Sequence, residues 1–195
     1  MEDLKIIKEI KKGNIEVYSQ IVVKYKKVVF NHSYSFLRSR EDAEDAAQET
    51  FVNAYKNIKK FRGDSKFSTW LYRITVNVCK NKLKQIQRLR APLVEEIYHG
   101  AEDDEDAGSM INKIKDNEDK NPEVILLNTE LKDIIKKSVN ELPTEQKTAI
   151  ILRDVDGLDY NEMAKVLNLS VSAVKSKLFR AREQLRTKLK KYKIF

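Results

Sequence analysis

Lys175, Ser176, Lys177, Phe179, Arg180 and Arg182 crowd into one short stretch near the end of the sequence. Cations bind phosphates, small polar donors reach base edges, and an apolar ring meets a thymine methyl, so this set has the chemistry of nucleic-acid recognition. Lys175 and Ser176 are suited to bases, Phe179 to a methyl group, and Arg180 and Arg182 to phosphates. A second stretch, from Phe67 to Lys84, interleaves aromatic, hydrogen-bonding and basic side chains. Single-stranded nucleic acid needs that combination, because unstacked bases seek new π-faces while phosphates seek cations. Trp70, Ile74 and Val78 also have the spacing of a core stripe, and Trp70 stays open between core and DNA-facing roles. A third cluster is acidic: Asp45, Gln48 and Glu49 fall at helical spacings of three and four and share a face. It reads as a solvated helix start, a hard-metal carboxylate site, or a docking face for a basic partner. A metal site would want further converging oxygen ligands, and the sequence identifies none. With His32 and His99 as the only histidines and Cys79 as the only cysteine, imidazole chemistry, an intramolecular disulfide and a cysteine-zinc cluster are unpromising. Cys79 reads as a small core filler in a chain suited to a reducing compartment. No catalytic residue, metal or cofactor is expected.

The elements that must carry these residues are helices. Only 5 Gly and 3 Pro punctuate 195 residues, too few for the turns of a β-sandwich, so the fold class is all-α. Four helices are predicted first: Asp3 to Lys11, about Ile15 to Arg38, Glu41 to Ile58, and Ser68 to Leu89. Tyr18, Ile21, Val22, Tyr25, Val28, Val29, His32 and Phe36 form the apolar side of the second. Phe61 to Phe67 is a loop. Later, Val124, Leu127, Leu131, Ile134, Ile135 and Val139 define an amphipathic helix stopped at Pro143. Thr144 is read as the N-cap of the next, which carries Ile150, Ile151 and Leu152 toward Gly157. Two more follow, Tyr160 to Leu167 and Val171 to Lys191, with the pattern of a helix-turn-helix. Met163, Leu167, Leu169 and Val174 supply its packing, Ala164 a close crossing, Asn168 a left-handed turn residue, and Ser170 a cap. A helical hairpin with a basic outer face is the alternative.

Charge divides the chain. Residues 1–90 carry 20 basic and 10 acidic side chains, residues 91–119 carry 2 and 10, and residues 120–195 carry 16 and 10. Basic modules suit a polyanion. Between them, residues 91–122 hold the run Glu102-Asp103-Asp104-Glu105-Asp106, two glycines and a proline near either end. They read as a flexible acidic linker that spans roughly 30 Å relaxed and about 100 Å stretched. Two small domains follow, 1–90 and 123–195. The N-terminus has no apolar h-region and no run approaches 18 apolar residues, so no membrane insertion and a cytoplasmic location are expected.

Three motifs together resemble the sigma-70 family, within it the extracytoplasmic-function (ECF) RNA polymerase sigma factors. They are Asp42 to Phe51, Phe61 to Ile74, and Leu142 through Arg182. The resemblance implies a sigma-2 domain at 1–90 and a sigma-4 domain at 123–195, which together direct core polymerase to promoters. By that resemblance Asp45, Gln48 and Glu49 dock on the β′ clamp helices, and the sigma-4 domain meets the β flap. Phe61, Arg62, Ser65, Lys66 and Phe67 belong to the loop that captures a flipped −10 base, with Asn77, Lys80, Asn81 and Lys84 on the helix beside it. Ser172, Lys175, Ser176, Phe179, Arg180 and Arg182 belong to the −35 reading helix. An anti-sigma factor is the implied regulator, and sigma itself supplies no chemistry. Asn81 stands where the family commonly has Asp, and Lys175 and Lys177 where Arg is common. Lysine lacks the bidentate fork of arginine, which bears on −35 preference. The rival reading is a stand-alone helix-turn-helix regulator whose first 90 residues dimerise or bind a ligand.

Overall fold

The computed structural model describes residues 2–90 and 122–192. Among these residues there are eight α-helices and no strand, and they divide into two compact units. Residues 91–121, which include most of the expected linker, its acidic run and His99, lie outside the described residues.

The first unit holds α1 (Glu2–Lys11), α2 (Tyr18–Leu37), α3 (Arg40–Asn57), a 3-10 turn (Ile58–Lys60) and α4 (Phe67–Arg90). Its core is periodic: Ile7 and Ile10 of α1, Ile21 and Val29 of α2, Ala47, Phe51 and Ala54 of α3, and Leu71 of α4 are buried together. Repeats of three and four put these side chains on one stripe per helix. Small residues on α3, with Ala43, Ala46 and Ala54 fully buried, let α2 and α4 pack closely against it. Two hydroxyls in this core are satisfied within their own helices: Thr50 donates to the Ala46 carbonyl at 2.7 Å and Thr75 to that of Leu71 at 3.0 Å. α2 starts three residues later than the apolar pattern predicted, and Val28, expected on its inner side, is 40% exposed. α2 closes on Arg38 in the left-handed region (φ 60°), whose N–H reaches the Tyr34 carbonyl. Ser39 then caps α3, accepting from the Asp42 N–H at 3.2 Å.

The second unit contains α5 (Pro122–Asn140), α6 (Thr144–Ile150), a π-helical turn (Ile151–Val155), the start of α7 (Tyr160–Leu167) and α8 (Val171–Lys190). Pro122 opens α5, a position where the missing N–H costs nothing. The N-cap of α6 is Pro143 and not Thr144; the Pro143 carbonyl accepts from Gln146 and Lys147 at 2.8 and 2.9 Å. A proline before the helix already sets the extended entry that a cap residue needs, so the frame moves by one. α6 and α5 pack on α8, burying Val139, Leu142, Ile150, Ile151, Leu152, Val174, Leu178 and Ala181. A reciprocal capping box absent from the sequence reading starts α7: Asp159 Oδ1 accepts from the Glu162 N–H at 2.8 Å while Glu162 accepts from the Asp159 N–H at 3.2 Å.

Candidate nucleic-acid interface

Between α7 and α8, Asn168 adopts φ 54°, the left-handed turn that asparagine tolerates better than other side chains. Ser170 then caps α8 by accepting from the Ala173 N–H at 3.1 Å. Val174, Leu178, Ala181 and Leu189 are drawn into the core, and this fixes what the other side of α8 presents. Ser172, Lys175, Ser176, Phe179 and Arg180 form one exposed stripe, and Phe179 is 67% exposed. A ring left so far out on a well-packed helix has no role in the fold.

The cations of α8 fall into two groups. Lys177 pairs with Glu145, Lys188 with Glu141, and Arg182 with Asp154 at 2.6 Å. These acids come from the end of α5, α6 and the turn after it, so the pairs brace α8 against the rest of the unit. The hydrogen bond that Arg182 donates to Asp154 raises the pKa of Arg182 above its ordinary value. Lys175 and Arg180 have no ion-pair partner among the described residues. Arg182, expected among the phosphate contacts, is therefore already committed within the unit. Tyr160 was missed by the sequence reading: its ring centroid lies 5.0 Å from the Arg153 guanidinium and 5.5 Å from the Lys175 ammonium. Nothing in the spacing of Tyr160 and Lys175 announces that contact.

In the first unit α3 brings Asp45, Gln48 and Glu49 to one exposed face. Asp45 is held at 3.0 Å by Lys82 of α4, which also lies 3.6 Å from Asp42. Glu49 accepts from Asn53 at 3.5 Å, and Gln48 stands clear. No group of three or more His, Cys, Asp or Glu side chains able to hold a metal occurs among the described residues.

The loop after the 3-10 turn is built from its ends. Phe61 and Phe67 are 4% and 3% exposed, with ring centroids 5.5 Å apart and Trp70 at 5.4 and 5.5 Å from each. Lys11 Nζ donates to the Phe61 carbonyl at 2.5 Å. The two phenylalanines, expected among the −10 contacts, are core residues here because aromatic burial outweighs exposure for rings flanking a short loop. Arg62 and Lys66 are exposed and Ser65 half-buried. Gly63 turns the loop at φ 86°, where a side chain would be strained.

Along α4, Asn77, Asn81 and Lys84 are exposed and Lys80 half-buried, on one face at spacings of three and four. Between α3 and α4 runs an open groove of ≈ 350 Å³ lined by Glu49, Asn53, Asn57, Lys60, Trp70, Arg73, Ile74, Asn77, Val78 and Asn81. Trp70 stacks on Phe61 and Phe67 in the aromatic core and also lines this groove. Four amides, two cations and an aromatic edge can hydrogen-bond a nucleobase and neutralise its phosphate. Asn53, Asn57 and Lys60 were not singled out in the sequence, because only packing brings the end of α3 and the 3-10 turn beside α4.

Two helical units, one with a helix-turn-helix and a bare basic stripe on its last helix, define a DNA-binding transcription protein. The Sigma-70 region 2 family matches residues 21–89, and Sigma-70, region 4 matches residues 132–185. The chain is 34% identical over 189 residues to the ECF RNA polymerase sigma-E factor of Haemophilus influenzae, covering 97% of this chain and 96% of that one. It is 36% identical to the sigma-E factor of Escherichia coli K12, with 97% and 95% covered. The chain belongs to the ECF sigma factors of the sigma-70 family. Its fold is also similar to CnrH, solved in complex with the cytosolic domain of CnrY, at TM-score 0.63 and 23% identity over 95% of both chains. RpoE from Bartonella quintana, solved with the anti-sigma factor NepR, gives TM-score 0.62 and 23% identity over 89% of this chain and 96% of that one. With region 2 spanning residues 21–89, the rival reading of the first unit as the dimerisation or ligand domain of a stand-alone regulator is not favoured.

Proposed function

We propose that this chain binds core RNA polymerase and directs it to promoters with two separated elements, using each unit for one element. Asp45, Gln48 and Glu49 dock on the β′ clamp helices, and the second unit meets the β flap. Ser172, Lys175, Ser176, Phe179 and Arg180 enter the major groove of the −35 element, in the manner of a helix-turn-helix recognition helix. Arg62, Ser65 and Lys66 of the loop, with Asn77, Lys80, Asn81 and Lys84 of α4, receive a flipped −10 base, and Phe61 and Phe67 act by fixing the loop's ends. Unstacking a base costs a few kcal/mol; the groove, phosphate contacts and polymerase binding offset it. The domains are 1–90 and 123–195, tethered by the linker, and the chain supplies no chemistry of its own. It works in the cytoplasm, where polymerase is, and an anti-sigma factor restrains it, as NepR is bound to RpoE in the Bartonella structure.

The observation that carries this reading is the exposed stripe on α8, whose Lys175 and Arg180 have no acid partner while Lys177, Arg182 and Lys188 do. Run-off transcription with bacterial core polymerase on a promoter library tests it. Transcripts should appear only when the chain is added, from templates sharing two spaced elements. A footprint by the chain alone on duplex DNA, with no added transcripts, would sink the proposal.

A further inference from the structure

Tyr160 lies beside two cations of the second unit, Arg153 and Lys175. Arg153 Nη1 donates to the Leu158 carbonyl at 2.7 Å, which fixes the guanidinium against the backbone just before α7. The same guanidinium lies 5.0 Å from the Tyr160 centroid, so the ring is held by a group that is itself held. The Lys175 ammonium, from α8, lies 5.5 Å from that centroid. Both distances are within the reach of cation–π attraction, about 6 Å. Lys175 is exposed and has no ion pair among the described residues, so the ring is the one group seen to restrain its ammonium.

That restraint matters because of what lysine lacks. An arginine reading guanine offers a planar fork that orients itself on two acceptors, whereas a lysine is a point charge on four flexible carbons. Held near an aromatic face, the ammonium loses much of that freedom before DNA arrives and still has N–H bonds directed outward.

We propose that Tyr160 is a positioning residue for −35 recognition, its ring holding the Lys175 ammonium at the start of the reading helix so that a lysine can discriminate a base. The proposal rests on α8 being the −35 reader. It assigns Tyr160 no contact with DNA: its effect passes through Lys175.

Holoenzyme assembled from core polymerase and full-length variants should be scored for transcription from promoters differing singly in the −35 element. Replacing Tyr160 by Phe and then by phenylalanines with one, two and three ring fluorines keeps the ring's size while draining negative charge from its face. Preference at the base that Lys175 reads should fall stepwise along the series, by about threefold overall, with unchanged thermal midpoints. With Lys175→Ala the series should become flat. A flat series in the Lys175 background, an equal decline in both backgrounds, or a preference that sharpens as fluorine is added would each overturn the proposal. If Lys175→Ala alone leaves −35 preference intact, the assignment of Lys175 as a reader has failed. If Lys175→Ala changes it and the fluorine series does not, only the role of Tyr160 has failed.

Discussion

Asp45 illustrates how an exposed carboxylate can be half-committed. Lys82 holds it at 3.0 Å, yet its side chain is 63% exposed, and exposed pairs of this kind contribute only about 0–1 kcal/mol. A basic partner can therefore displace Lys82 at little cost. Gln48 and Glu49, one turn on, complete the face, and Gln48→Ala with Glu49→Lys should weaken binding to core polymerase at least tenfold, the scale of losing about 1.4 kcal/mol at an interface. Affinity measured by fluorescence anisotropy should show this with an unchanged thermal midpoint; equal affinity would remove the docking assignment. Asp3 is a carboxylate with a structural role. Burial alone would raise its pKa, but hydrogen bonds from Lys24 and Tyr25 outweigh it and hold the group below 3.8. A depressed folded-state value gives stability that is present above 3.8 and lost as pH falls through the folded pKa. Asp3→Asn should therefore be less stable than the parent at neutral pH, and denaturation curves should show the deficit closing below pH 3.8.

At the scale of elements, caps and strained turns decide where helices begin. Ser170 sits in extended backbone and satisfies the Ala173 N–H, so Ser170→Ala should cost about 1 kcal/mol, read as a lower urea midpoint with unchanged slope. Because the cap also sets the entry angle of α8, −35 binding should weaken alongside. The cap and the Asn168 turn were legible in the sequence because each is a local event within a few residues. The capping box Asp159 to Glu162 was equally local and could have been found from its spacing. The Ser39 cap was obscured by the acidic residues that follow it. The burial of Phe61 and Phe67 was not legible, since their spacing fits an exposed aromatic loop as well as a core; only packing against Trp70, Ile58 and Leu71 separates the two.

For the whole molecule, composition offers many cations, and the fold determines which are free to meet phosphates. Binding that neutralises a phosphate releases counterions, so each true contact adds about 0.9 to the salt slope on duplex DNA. Lys175→Ala and Arg180→Ala should each change the slope of holoenzyme binding by about one if they touch phosphate, or relax base preference if they touch bases. Lys177→Ala and Lys188→Ala should leave the slope unchanged, since Glu145 and Glu141 already neutralise them; a slope reduced by either would contradict the division drawn here. The sequence by itself determined the all-α class, the family and the helices that carry each motif, because helical periodicity, caps and motif spacing act over a few residues. Only the tertiary structure decided which of those side chains are available. Glu141 and Lys188 lie 47 residues apart, Asp45 and Lys82 lie 37 apart, and pairing at such distances depends on how helices pack, which no local pattern encodes.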